Sequence, residues 1–264
     1  MTDASPADQD RFPSLQISDL LVLTLTVSFA LACITPAIQD YLSRSNTEQR
    51  MAMWRAITPQ VTEYAAIGIS ICGLLVLCRQ RIRGSHWEWS PGHWLFVAFG
   101  PLLAVLLVTG AVRDVIAAYL FDNNPKPFFA TINALISFVV GASIVFTLPA
   151  LWIRERRWWL AILLVLVWLT MVVIWLFMDA LAMLGYVRSS FWRRPTLAFM
   201  TTTHVVALLA AFVAVGMDVL KGIRRDWLHY LAIAALSLNA LSYVLNWGEI
   251  TAKWWYGLFL SLIP

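Results

Sequence analysis

From Leu20 to Ile38 the chain passes nineteen residues without a charge, and six further apolar runs of comparable length follow. No other feature narrows the fold as much. At about 1.5 Å of rise per residue, a helix of this length crosses a hydrocarbon core of about 30 Å. In lipid the backbone must satisfy its own polar groups, and a helix does so within the segment. The other spans are expected at about residues 61–78, 93–114, 128–153, 158–186, 196–220 and 227–246. The fold class is therefore all-α: a polytopic membrane helix bundle of about seven transmembrane helices, in one domain covering 18–264.

Composition excludes the soluble alternative. Apolar residues make up 60% and charged ones 13%, against about half and about a quarter in soluble domains. The surplus has to face lipid. Many of the tryptophans, among them Trp87, Trp94, Trp158, Trp192, Trp227 and Trp254, stand at the ends of apolar runs, where an indole sits well at the headgroup level. The net charge of +4 does not point to nucleic acid, because Lys and Arg gather in the short links between spans. The partners expected are the lipid bilayer and other membrane protein subunits. Cys33, Cys72 and Cys78 show no paired spacing and read as small hydrophobes.

Outside the spans, residues 1–17 read as a disordered polar tail. Arg11 against Asp3, Asp8 and Asp10 is the wrong balance for a cleaved leader, so the first run is expected to be retained. Ser45-Asn46-Thr47-Glu48 has capping-box spacing. It opens a short interfacial helix at about 46–57, which Pro59 is expected to stop. Gly100-Pro101 is expected to kink the third span. The apolar tail 250–264 is too short to cross and is expected at the interface or against a neighbouring subunit. The links on the side where the first span begins, here the proximal face, hold ten Lys and Arg against nine on the distal face. The tight clusters Arg79/Arg81/Arg83, Arg154/Arg156/Arg157 and Lys221/Arg224/Arg225 are all proximal, which favours a cytoplasmic N-terminus.

Polar groups at lipid depth are costly and turn toward the bundle interior. Glu63 begins span two, Arg113 and Asp114 end span three, and Asn133 begins span four. Asp179 ends span five, Thr201, Thr202, Thr203 and His204 lie early in span six, and Asn239, Ser242, Tyr243 and Asn246 lie late in span seven. Because successive spans alternate in direction, all of these belong to the distal half. The proximal half shows only boundary residues such as Asp19, Asp218 and His229. A one-sided polar vestibule is therefore expected, with Glu63, Asp114, Asp179, His204, Asn239, Tyr243 and Asn246 as its binding candidates. Asn239, Ser242, Tyr243 and Asn246 share a helical face by their i, i+3, i+4, i+7 spacing. The plainer readings are an Asp179 that caps its helix at the headgroups, a His204 satisfied by Thr or Asn in the core, and a seventh-span stripe that serves as interhelical glue.

No nucleophile-elbow, zincin, phosphate-loop or dinucleotide pattern occurs in the sequence. His86-Trp87-Glu88-Trp89-Ser90-Pro91-Gly92-His93 matches no standard zinc spacing and reads as a wet interfacial loop. His204 and His229 stand too far apart in depth to share a haem. No catalytic residue, metal or cofactor is expected. Ser137-x-x-x-Gly141 and Ala207-x-x-x-Ala211 indicate tight neighbours for spans four and six.

The segment Phe12-Pro13-Ser14-Leu15-Gln16-Ile17-Ser18-Asp19-Leu20-Leu21-Val22-Leu23-Thr24-Leu25 resembles the start of many small bacterial multi-pass membrane proteins that are themselves uncharacterised. Their first span follows a Phe-Ser-x-x-Asp-Leu-Leu pattern, with one residue fewer after the Phe. The resemblance implies a bacterial inner membrane and no activity. Three functions follow from the sequence, in order of preference: a non-catalytic membrane subunit or accessory protein, a channel, carrier or small-ligand-binding protein using the vestibule, and a membrane-embedded enzyme on a lipid-like substrate.

Overall fold

The computed structural model describes residues 16–44, 49–82, 90–120, 126–152, 155–187 and 189–261. Within these, the side chains of 49–56 and 110–120 and of a few other positions near helix ends lie outside the description. Seven long helices follow one another: α1 (Ile17–Arg44), α2 (Gln49–Ile82), α3 (Pro91–Leu120), α4 (Lys126–Thr147), α5 (Trp159–Met183), α6 (Ser189–Leu220) and α7 (Trp227–Ser261). Short 3-10 turns at Leu148–Trp152 and Arg156–Trp158 link α4 to α5. All seven helices are long and apolar enough to cross a membrane. The chain is an all-α, multi-pass membrane protein, and no strand occurs among the described residues.

Helices α2 to α7 form a ring in chain order, α7 closing back onto α2, and α1 packs outside on α2. Helix α3 also reaches α5 and α7 across the ring. Its Phe96, Phe99, Leu102 and Leu103 share one buried cluster with Trp158 of the turn before α5, with Ile162 and Leu169 of α5 and with Leu228 and Leu236 of α7. The opposite pattern covers the outside. Leu25, Phe29, Phe138, Phe146, Leu160, Phe177 and Val213 are all exposed, as a lipid-facing surface requires.

Small residues set the close approaches. A Cβ on Gly68 would stand 2.6 Å from the Val27 Cα, so α1 lies directly on the α2 backbone there. A Cβ on Gly73 would strike the Phe96 ring at 2.5 Å. Ala207 and Ala211 of α6 are buried as their spacing indicates. Gly141 differs: a Cβ there would meet nothing within 4 Å, so the Ser137/Gly141 pair marks no close neighbour. Spacing alone does not reveal which helix face carries a small pair.

Two boundaries also differ from expectation. Pro59 lies inside α2 instead of ending the helix. A proline removes one donor from the ladder, and membrane helices tolerate that loss. The end of the chain is no separate tail, because α7 continues as helix to Ser261. The Trp255 indole donates to Thr202 Oγ1 at 2.8 Å, and Phe199 packs against both Trp254 and Trp255, so this segment rests on α6 of its own chain. Residues 1–15, the Ser45–Glu48 box, residues 83–89 and the 121–125 link fall outside the described residues.

Candidate functional site

In the distal half, α2, α3, α4 and α5 enclose a cavity of about 420 Å³ that is partly open to the outside. Their register positions it. Glu63 sits six residues into its span from Ile57, Asn133 near the start of α4, and Asp179 one turn before the end of α5. All three side chains line the cavity, joined by Arg193 from the first turns of α6. Tyr64, Phe129 and Trp175 supply aromatic wall, and Ile67, Leu106, Ile132 and Ile136 form the apolar inner end.

The two carboxylates stand in different surroundings. Asp179 accepts a hydrogen bond from Asn133 Nδ2 at 3.2 Å and faces Arg193 Nη2 at 3.8 Å. Glu63 forms no hydrogen bond or ion pair among the described residues. Apolar walls carrying a few convergent polar groups are the usual make-up of a small-molecule site.

The remaining vestibule candidates divide. His204 is 1% exposed and does not line the cavity. Its ring stacks on Tyr243 with centroids 5.2 Å apart and meets Trp168 edge-on at 4.4 Å. Neither ring nitrogen has a hydrogen-bond partner of normal geometry, although the Leu236 carbonyl lies beside the ring. Thr201 and Thr202, the expected partners, bond instead to carbonyls one turn back on their own helix. Tyr243 lies within electrostatic reach of Glu63, and none of the three rings of this cluster lines the cavity. On α7, Asn239 and Ser242 are buried, while Asn246 is exposed and only touches Ser242 Oγ at 3.5 Å. Asp114 lies on α3, with its side chain outside the described residues.

In the proximal half Asp19, Asp218 and His229 stand at helix ends as expected, but they are enclosed by the protein: Asp218 is 1% and His229 0% exposed. Arg225 donates through Nε to Asp218 Oδ2 at 2.8 Å and through Nη1 to Glu155 Oε1 at 2.9 Å. Arg157 adds an ion pair to Asp218 at 2.6 Å and another to Glu155 at 3.2 Å. The Trp158 indole donates to Asp218 Oδ2 at 3.2 Å. Beside this group, Asp226 caps α7 by accepting the His229 backbone N–H at 2.8 Å. It also takes His93 Nε2 at 3.2 Å. His93 is fully buried, not in a wet loop, and its Nδ1 accepts the Ser90 N–H at 3.0 Å. The Gly92 N–H in turn donates to His229 Nδ1 at 3.0 Å. At the edge of the same face Asp19 pairs with Arg79.

Burial alone pushes the Glu155 carboxyl up, but the Arg225 and Arg157 guanidiniums outweigh it and hold the group below the usual carboxylate range. Burial likewise raises Asp226, and the His93 and His229 contacts carry it down past its ordinary value. Arg225 is raised, since its two carboxylate partners overcome desolvation. The proximal end is thus held together by ion pairs and hydrogen bonds among the link before α5, the end of α6 and the starts of α3 and α7, and the cavity lies on the distal side.

Sequence reasoning missed this network because it assigned basic clusters to topology. A signal was present: the 154–157 and 221–226 links mix both signs, whereas the 79–83 link is purely basic. Comparison with protein-family models, with curated proteins and with solved structures finds no match to this chain.

Proposed function

We propose that the chain is a carrier or small-ligand-binding protein of the membrane, taking its ligand into the bundle from the distal face. The cavity carries this reading: about 420 Å³ at membrane depth, with Glu63, Asn133 and Asp179 set among aromatic and aliphatic walls. A chain serving only as a packing subunit has no need of such a space, and this reverses the order of preference drawn from the sequence. The subunit reading retains one observation in its favour. Helix α1 packs on α2 and leaves Leu21, Leu25 and Phe29 bare.

The same reading puts the proximal face in the cytoplasm of a bacterial inner membrane. Arg79, Arg81, Arg156, Lys221 and Arg224 at proximal helix ends support it through the positive-inside rule. The distal mouth of the cavity then faces away from the cytoplasm.

Thermal unfolding of the purified chain against a panel of amines, carboxylates, sugars and nucleosides tests the proposal. A ligand that occupies the folded state raises the melting temperature by mass action. At least one class is expected to do so for the native chain and to lose the effect in Ile132→Trp and Thr109→Phe, which fill the cavity. Shifts that persist in both filled variants, or no shift with any class, would overturn it.

A further inference from the structure

We infer that the ligand of this cavity is an organic cation, an ammonium group carried on an apolar body, with its positive head against Glu63. The inference rests on the binding reading above. It starts from the difference between the two carboxylates. Asp179 has its partners on the chain, a hydrogen bond from Asn133 and the counter-charge of Arg193. Glu63 faces the same cavity and has none among the described residues. An ionised carboxylate at membrane depth is costly without a counter-charge. With Asp179 matched by Arg193, the described lining keeps one unmatched negative charge, and the partner left for the ligand to supply is positive.

The walls specify the rest. Tyr64, Phe129 and Trp175 ring the site, and aromatic faces attract ammonium groups through their quadrupoles. The inner end is aliphatic, which suits a hydrocarbon body and does not suit a hydrated metal ion. A space of about 420 Å³ is far larger than any bare monovalent cation.

The test uses the full chain in detergent and isothermal titration with benzyltrimethylammonium, benzyl alcohol and benzoate, which share a ring and differ in charge. Benzyltrimethylammonium is expected to bind at one saturable site that neither analogue occupies. Glu63→Gln is expected to weaken it at least tenfold while the variant elutes and melts as a folded protein. Arg193→Gln, which strips Asp179 of its counter-charge and leaves a second unmatched carboxylate in the cavity, is expected to tighten it. Equal binding of the alcohol or benzoate, or unchanged binding by Glu63→Gln, overturns the cation assignment and leaves the cavity reading standing, provided Ile132→Trp still abolishes the signal. Displacement by millimolar sodium or potassium overturns it in favour of an inorganic ion. The absence of binding by all three probes overturns the cation assignment, and the absence of any melting shift across the wider panel overturns the cavity reading as well.

Discussion

Arg225 holds Glu155 and Asp218 in one grip, donating to the first at 2.9 Å and to the second at 2.8 Å. Those two carboxylates come from the link before α5 and the end of α6, and Arg225 itself lies in the turn before α7. One guanidinium therefore joins two interhelical links and a helix end at the proximal face. An arginine suits the position because its fork binds two carboxylates at once and stays charged when buried.

Removing that grip has a definite cost. Arg225→Met leaves Asp218, which is almost fully buried, with Arg157 as its remaining ion-pair partner. Breaking a buried ion pair costs about 3–5 kcal/mol, and the retained Arg157 places this case near the lower end. Adding Glu155→Gln to Arg225→Met should recover part of the loss, since it removes a carboxylate left short of charge. Denaturant unfolding of the single and double variants in one detergent checks both values. Additive losses would show that the residues do not act as a unit.

Acid should loosen the same face. Glu155 and Asp226 are both held below their ordinary values in the folded chain. A depressed carboxylate contributes stability above its unfolded pKa and loses it as pH falls through the folded one. Their contribution to the melting temperature is expected to be complete at neutral pH and to be lost below about 4. Asp226→Asn should start lower at pH 7 and fall less steeply. An identical acid slope in the variant would show that Asp226 does not contribute to it.

His204 is expected to act through its shape. Its ring fills the space between Trp168 and Tyr243, and its nitrogens have no well-formed hydrogen bonds. His204→Phe should fold with a change of at most about 1.5 kcal/mol, as volume-conserving swaps do. His204→Ala should lose about 2–4 kcal/mol by leaving a void. Ligand binding that disappears in a well-folded His204→Phe would assign the imidazole a chemical role.

Two glycine replacements should have opposite effects. Gly68→Ala drives a methyl into the α1 backbone at Val27 and should cost about 1–3 kcal/mol by overpacking. Gly141→Ala meets open space and should gain up to about 1 kcal/mol from helix propensity. Paired melting curves decide it. A neutral Gly68→Ala would mean that α1 gives way without cost.

Much of the architecture is legible in the sequence, because span length and the lipid requirement act locally. Seven apolar runs were enough for seven helices. Helix direction also located the distal polar half, since alternation alone places Glu63, Asn133 and Asp179 on one side. Which of those side chains share a space was not legible. Glu63 and Asp179 lie 116 residues apart, and nothing local distinguishes their face of the ring from that of His204 and Tyr243. The proximal network escaped for a related reason. Glu155 and Arg225 are 70 residues apart, and a charge beside a span end reads as a headgroup anchor until its partner is seen.

The central claim, a cavity reached by water from the distal face alone, is tested most directly by cysteine accessibility. In a chain whose Cys33, Cys72 and Cys78 are replaced by alanine, Thr109→Cys lines the cavity and Ser143→Cys lies buried toward the proximal end of α4. A membrane-impermeant thiol reagent applied to sealed vesicles of known orientation should modify Thr109→Cys from the distal face and leave Ser143→Cys untouched from either. Labelling of Thr109→Cys from the proximal face, or from neither face, would contradict it.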